Sequence, residues 1–330
     1  MKNSLSLQKE LILVKKLIKN EVIEEKTISD LYKYIFKSDG KRLRAKLSLI
    51  TSSLNKRKNK KRLKLAAVIE LLHTATLVHD DVVDESQTRR GIKSVNNLWS
   101  NAHGVLIGDY IYSKAFILMV EIGDSKILRE LANATNDISK GELIQLDALQ
   151  NLSINLKQLE AISYFKTGRL FEASARTGAM LAEGETSFIN NVSKCAKYLG
   201  ILFQVKDDLL DYSLKEEVIG KPVFQDMREG KVTYPFYFAY KNADKNDKAK
   251  LKAYLGKNKF NIEKAYNLIH QLNGIKETEL LASKYLNKAV TAANSIKNKY
   301  IKEEMLKLIN SALYRKKWAL YQSLVTAKMN

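Results

Sequence analysis

The amino-acid sequence predicts an all-α fold. Apolar residues recur at helical rather than alternating spacing, as in Leu63, Ala66, Ala67, Ile69, Leu72 and Leu77. The only prolines are Pro222 and Pro235, so the first 221 residues carry no helix breaker. Neither strand–helix alternation nor a fixed-period repeat is visible. A length of 330 residues would allow two domains. No shift in composition marks a linker, however, and one large domain spanning residues 1–330 is expected.

Taken in order, Met1–Val22 mixes Leu and Ile with Lys and Glu at helical spacing and reads as a helix. It holds no continuous apolar stretch suited to export, and nowhere do about 20 apolar residues run together to span a bilayer. Asp39-Gly40-Lys41-Arg42-Leu43-Arg44 packs three cations behind a glycine able to take positive φ. The run from Lys56 to Lys64 reads as a solvated basic loop, with a helix following into the apolar stretch that ends at Val78. Thr88-Arg89-Arg90-Gly91 is placed to turn its guanidinium groups back over Asp84. Tyr112, Phe116 and Met119 form a stripe at i, i+4 and i+7, read either as core or as the floor of a channel. Cys195 sits in an apolar helical pattern and is expected to be buried. Residues from Leu199 onward form another helix, and Gly220-Lys221 and Gly230-Lys231 mark turns beyond it.

The formal net charge of +20 raises the question of nucleic acid. The basic run has no interleaved aromatic residues and no recognisable nucleic-acid motif accompanies it, so that class of partner is set aside. A single cysteine excludes an internal disulfide framework, and a cytoplasmic location is expected.

Chemistry concentrates in two clusters, Asp80-Asp81-Val82-Val83-Asp84 and Asp207-Asp208-Leu209-Leu210-Asp211. Each ends a helical stretch, so residues i and i+4 project from one face. Two carboxylates about 6 Å apart repel by roughly 3 kcal/mol at an effective dielectric near 20. Repeating that cost twice implies a cation in each gap. Hard oxygen donors favour Mg²⁺, which takes one or two carboxylates and completes its shell with water and substrate phosphate. The cations at Lys41–Arg44, Arg89-Arg90, Lys166-Thr167-Gly168, Lys221 and Lys231 complete a container for two phosphate esters. No Ser-His-Asp or Cys-His arrangement suggests a protein nucleophile.

At these residues the chain resembles the trans-polyprenyl diphosphate synthases, most closely the long-chain octaprenyl type. The likeness is carried by Glu70 through Ser86 with Arg89-Arg90-Gly91, by Gly104–Tyr110, by Gly141-Glu142-Leu143-Ile144-Gln145, and by Phe203 through Tyr212. It implies a helical bundle around a deep central cavity and sequential condensation of isopentenyl diphosphate onto an allylic diphosphate, farnesyl or shorter. Three Mg²⁺ ions are implied, with Asp80, Asp84 and Asp207 as ligands and Asp81, Asp208 and Asp211 acting directly or through water. Lys41, Arg44, His73 and Arg90 match the isopentenyl diphosphate site. Arg89, Lys166, Thr167, Gln204, Lys221 and Lys231 match the allylic site, Lys166 and Lys231 also serving the ionisation step. His79 reads equally as a support for Asp80 or as a satisfied core histidine.

The resemblance further implies a homodimer, peripheral membrane contact for product release, and an eight-unit side chain for a quinone. Small residues at Ala75 and Thr76, one turn before Asp80, leave the tail's path open. Three departures stand out. Asp39 and Ala45 occupy positions where the family usually has Gly and Pro, and Phe224-Gln225 stand where Gly and Asp are common. Alternatives are a shorter-chain farnesyl or geranylgeranyl synthase, one subunit of a heteromeric hepta- or hexaprenyl synthase, and a terpene cyclase. The last is disfavoured because the second metal motif is DDLLD and the isopentenyl-binding cations are present.

Overall fold

The computed structural model describes residues 2–20, 24–37, 40–55, 60–89, 91–212 and 223–313. Helices account for nearly all of it, as the apolar spacing predicts. Internal contacts group the chain into two compact units: Met1–Thr135 with Leu170–Ala196 and Ser295–Met305, and Asn136–Arg169 with Lys197–Asn294 and Leu306–Asn330.

The first unit begins with α1 (Lys2–Lys19), α2 (Lys26–Ile35), α3 (Leu43–Thr51) and α4 (Lys60–Val83). Leu65, Ala66, Ala67, Val68 and Ile69 are consecutive and fully buried, so α4 is apolar on every side and lies in the core. It packs against α1, α3 and α6 (Asn101–Ile122). The start of α4 revises the basic-loop expectation. Lys60–Lys64 is helical, and Arg62 is a buried support that donates to Glu10 (2.9 Å), Ser52 Oγ (2.9 Å) and the Leu49 carbonyl (2.7 Å). An aliphatic stem and a planar fork let it satisfy several acceptors at once. Lys56–Asn59 lies outside the described residues.

Two glycines bring α6 onto the last turn of α4. A Cβ at Gly104 would lie 2.5 Å from Val82 Cγ2, and one at Gly108 would lie 2.2 Å from His79 Nε2. Ser100 caps the start of α6 by accepting from the His103 amide, and Gly123 ends it at φ 68°. Between α4 and α6 come a small ribbon, β1 (Thr88–Arg89) paired antiparallel with β2 (Ile92–Lys93), and the single turn α5 (Val95–Leu98). The ribbon is the one β element among the described residues.

Helices α7 (Ser125–Asp147) and α10 (Thr186–Asp211) contribute residues to both units, and α9 (Arg169–Leu181) lies in the first apart from Arg169. The second unit contains α8 (Leu156–Ser163), a π-helical turn (Tyr164–Gly168), α11 (Gln225–Arg228), α12 (Tyr234–Asn242), α13 (Lys245–Tyr254), α14 (Ile262–Gln271) and α15 (Gly274–Asn294). Its core is built on Leu202, Val205, Leu209, Tyr212, Phe224, Met227, Tyr234 and Phe236. Pro235 falls in the first turn of α12, where a missing amide hydrogen costs nothing. Helix α16 (Lys299–Leu313) ends the described chain. Cys195 is fully buried, and burial pushes its thiol up to about 12.

Candidate active site

In the first unit, α4 delivers its acid cluster at its C-terminal end. The Asp84 amide still donates to the Asp80 carbonyl (2.8 Å), so both side chains leave the same side of the last turn. The chain then turns through Glu85 at φ 48°. The hairpin folds Arg89 back as expected, but onto Asp81 rather than Asp84. Arg89 Nε donates to Asp81 Oδ1 at 2.7 Å, and Nη2 reaches the same oxygen. Burial works against the Arg89 charge. The hydrogen bond to Asp81 and the fields of Asp81, Asp80 and Asp84 outweigh it and raise its pKa. Asp81 is thus buried and tied to the protein, whereas Asp80 and Asp84 are only half-buried.

His79 turns away from the acids. Its Nε2 lies 3.2 Å from the Val105 carbonyl and 3.3 Å from Asp109 Oδ1, and the ring stacks on Tyr112. It is a packing residue that locks the acid-bearing turn to α6, closer to the support reading than to a core histidine with no bearing on Asp80.

About two turns earlier on α4, Arg44 Nη1 donates to His73 Nε2 at 2.9 Å. Arginine only donates, so that nitrogen of His73 is the unprotonated one and Nδ1 carries the hydrogen. The Arg44 guanidinium also lies over the Phe171 ring, 4.6 Å from its centroid, and Glu70 accepts the Ala45 amide (3.1 Å). A proline in the place of Ala45 would lack this donor. Arg42, at the N-terminus of α3, takes a left-handed conformation with φ 49°. Lys41 beside it is exposed.

The second unit holds Asp207, exposed, and Asp208, buried, on the last turn of α10. Thr167 Oγ1 donates to Gln204 Oε1 (2.6 Å), and Gln204 Nε2 donates to Asp208 Oδ1 (2.8 Å). Gln204 therefore serves Asp208, one turn on, rather than Asp207. Asp211 uses both carboxylate oxygens on the start of α11, accepting from the amides of Gln225 (3.0 Å) and Asp226 (3.1 Å). Its carbonyl accepts from the Phe224 amide (2.8 Å).

Phe224 explains its own departure from the family pattern. It sits at φ 56°, the region a glycine enters without cost, while its ring is fully buried between Tyr212 (5.0 Å) and Phe260 (6.1 Å). The left-handed backbone costs about 1–2 kcal/mol, and burying an aromatic ring returns about 1.5–3 kcal/mol.

Lys166, on the π turn, pairs with Glu142 Oε2 at 2.8 Å and bonds Gln145. Gly141 makes this approach feasible, since a Cβ there would lie 2.6 Å from Phe165 Cβ. Lys231 pairs with Glu229 at 2.6 Å. Single π turns interrupt helices most often at functional positions.

Glu142 and Gln145 contact Lys166, and Glu229 and Asp226 lie by Lys231; none of the four is given a role from sequence alone, although Glu142 and Gln145 fall in a stretch that carries the family likeness. Asp226 is half-buried, and its desolvation pushes it up to about 6 against the opposing pull of Lys231. Asp208 and Asp211 are raised well above ordinary carboxylates, first by burial and then by the Asp226 charge. Such mutual repulsion is what a bound cation relieves. Among the described residues no three carboxylate, imidazole or thiolate groups converge into a complete metal cage. Arg90 and Lys221, like Asp39, lie outside the described residues.

A family model described as Polyprenyl synthetase matches residues 25–272. Octaprenyl diphosphate synthase of Escherichia coli strain K12 is 33% identical over 290 residues, covering 87% of this chain and 90% of its own. Among solved structures, a decaprenyl diphosphate synthase from Rhodobacter capsulatus superposes with a TM-score of 0.88 at 32% identity, over 94% of this chain and 98% of that one. A polyprenyl synthase from Caulobacter crescentus CB15, crystallised with calcium and isoprenyl diphosphate, gives 0.88 at 32% identity, over 93% and 95%.

Proposed function

The chain belongs to the polyprenyl synthetase family and is a long-chain all-trans prenyltransferase, and on that premise we propose how its residues divide the work. Three Mg²⁺ ions would be held by Asp80 and Asp84 from one cluster and Asp207 from the other, and residues 1–330 would act as a single catalytic domain. When bound, Mg²⁺ neutralises charge that develops on the departing diphosphate. Asp81, Asp208 and Asp211 orient these ligands, because each is already tied to Arg89, to Gln204 or to backbone amides. The observation that carries this division is exposure: Asp81 and Asp208 are buried, whereas Asp80 and Asp84 are half-buried and Asp207 is exposed.

Lys166, Lys231, Thr167, Arg89 and Lys221 grip the allylic diphosphate, with Lys166 and Lys231 stabilising the oxygens as the C1–O bond breaks and its electron pair leaves with diphosphate. Lys41, Arg44, His73 and Arg90 hold isopentenyl diphosphate, His73 through Nδ1–H. Its terminal double-bond carbon joins C1, and a proton is lost to restore the alkene. The starter is farnesyl diphosphate or shorter and the product is octaprenyl diphosphate, the length named for the Escherichia coli relative. Its use is as a quinone side chain. The enzyme acts in the cytoplasm as a homodimer, supported by an exposed apolar face on α6, and reaches a membrane only peripherally. Among the described residues no helix is long and apolar enough to cross one.

Labelled isopentenyl diphosphate, farnesyl diphosphate and Mg²⁺ test the assignment. Asp80→Ala or Asp207→Ala is expected to lower kcat about 10³-fold, the order of several kcal/mol of lost charge stabilisation. Unchanged turnover in both variants, or turnover that survives chelation of divalent ions, would refute it.

A further inference from the structure

Helix α1 carries two apolar stripes. Leu7, Leu11, Val14 and Ile18 lie at i, i+4, i+7 and i+11 and pack inward, with Val14 and Ile18 buried in the first unit's core. That stripe is sufficient to dock the helix. The opposite side should then be polar, yet Ile12, Leu13 and Leu17 are 56%, 46% and 36% exposed. Lys9 and Lys16 stand at i and i+7 on the same outward stripe, Ile12 and Leu13 between them, and Lys19 flanks it; all three lysines are exposed. The one acidic residue of α1, Glu10, is engaged with buried Arg62. The outward face is therefore aliphatic and basic, with no acidic residue of α1 on it.

From this pattern we infer that the outward face of α1 is a docking surface for an anionic lipid bilayer. Aliphatic side chains ringed by lysines suit the interface plane, where the chains enter the acyl boundary and the ammonium groups stay among the headgroups. A second copy of this chain fits poorly, because an isologous contact would set Lys9, Lys16 and Lys19 against themselves. The exposed face of α6 lacks such a lysine array and serves self-association better. Membrane docking at α1 deepens the reading that the product is a long polyprenyl lipid, which must leave water for a bilayer. It rests on that reading for its purpose but not for its measurement.

Full-length protein is sedimented with sucrose-loaded vesicles of phosphatidylcholine alone or with 30 mol% phosphatidylglycerol, after nuclease treatment. The wild type is expected to pellet with the anionic vesicles only. Lys9→Gln with Lys16→Gln should weaken partitioning about 25-fold at low salt, near fivefold per lysine. Ile12→Ser with Leu13→Ser should weaken it at least tenfold. Both double variants should keep wild-type circular dichroism melting, sedimentation-velocity mass and prenyl transfer from a short water-soluble starter.

The inference is overturned if the wild type stays in the supernatant, or if both variants pellet as it does. It is equally overturned if nuclease abolishes pelleting, which would make nucleic acid the partner, or if the variants become monomers, which would make α1 a subunit contact. Vesicle binding by a protein that fails to transfer prenyl groups would leave this surface standing and remove the catalytic reading. The opposite result would do the reverse.

Discussion

At the scale of single residues, the site depends on side chains that hold other side chains. His79 reaches α6 only because position 108 has no Cβ. Gly108→Ala is therefore expected to destabilise the fold by about 1–3 kcal/mol through overpacking and to lower kcat more than it changes KM. In urea titrations, adding Gly108→Ala to His79→Ala should cost far less than adding it to the wild type. Equal costs in the two backgrounds would show that the His79 contact is not what Gly108 protects. The acids themselves were legible in the sequence, because carboxylates in apolar helix are costly enough to announce themselves. Their partners were not. Glu142 and Gln145 fall in a stretch that carries the family likeness, yet nothing local shows that the π turn will bring Lys166 to them, or that Asp226 will sit beside Asp211.

At the scale of elements, the sequence located the helices ending in each acid cluster and the turn at Arg89, since spacing and glycine placement act locally. It misjudged residues 60–64, where local charge suggested solvent and tertiary packing buried Arg62 instead. Helix α6 shows a related effect: Val105, Leu106, Phe116, Ile117 and Val120 share an exposed face, Leu106 and Val120 at 68% and 67%. A contiguous apolar face of this kind marks an association surface. Leu106→Arg with Val120→Arg should convert the proposed homodimer to monomer in sedimentation equilibrium. A dimer that persists at micromolar concentration would assign the subunit contact elsewhere. On α4, Ala75 is fully buried and Thr76 half-buried. Ala75→Phe should shorten the product on reversed-phase thin-layer chromatography, at a stability cost of about 1–3 kcal/mol. Thr76→Phe should shorten it with less destabilisation, and unchanged length in both would misplace the tail.

At the scale of the whole molecule, the two acid clusters belong to different compact units. If both serve one ionisation step, their losses are not independent. Asp80→Ala combined with Asp207→Ala should retain activity close to that of either single variant, well above the product of the two losses, as groups acting as a unit do. Multiplicative losses would point to two separate events. Overall class was readable early, because helical periodicity without proline leaves few options for 330 residues. Division into units was not, since no linker composition accompanies it.

Asp211 has one more role than orienting a ligand. Its carbonyl and both side-chain oxygens grasp the backbone of Phe224, Gln225 and Asp226, so a single residue hooks together the two ends of the segment that lies between them. The clasp thereby holds the Asp226 carboxylate beside that of Asp211, whose pKa its charge raises.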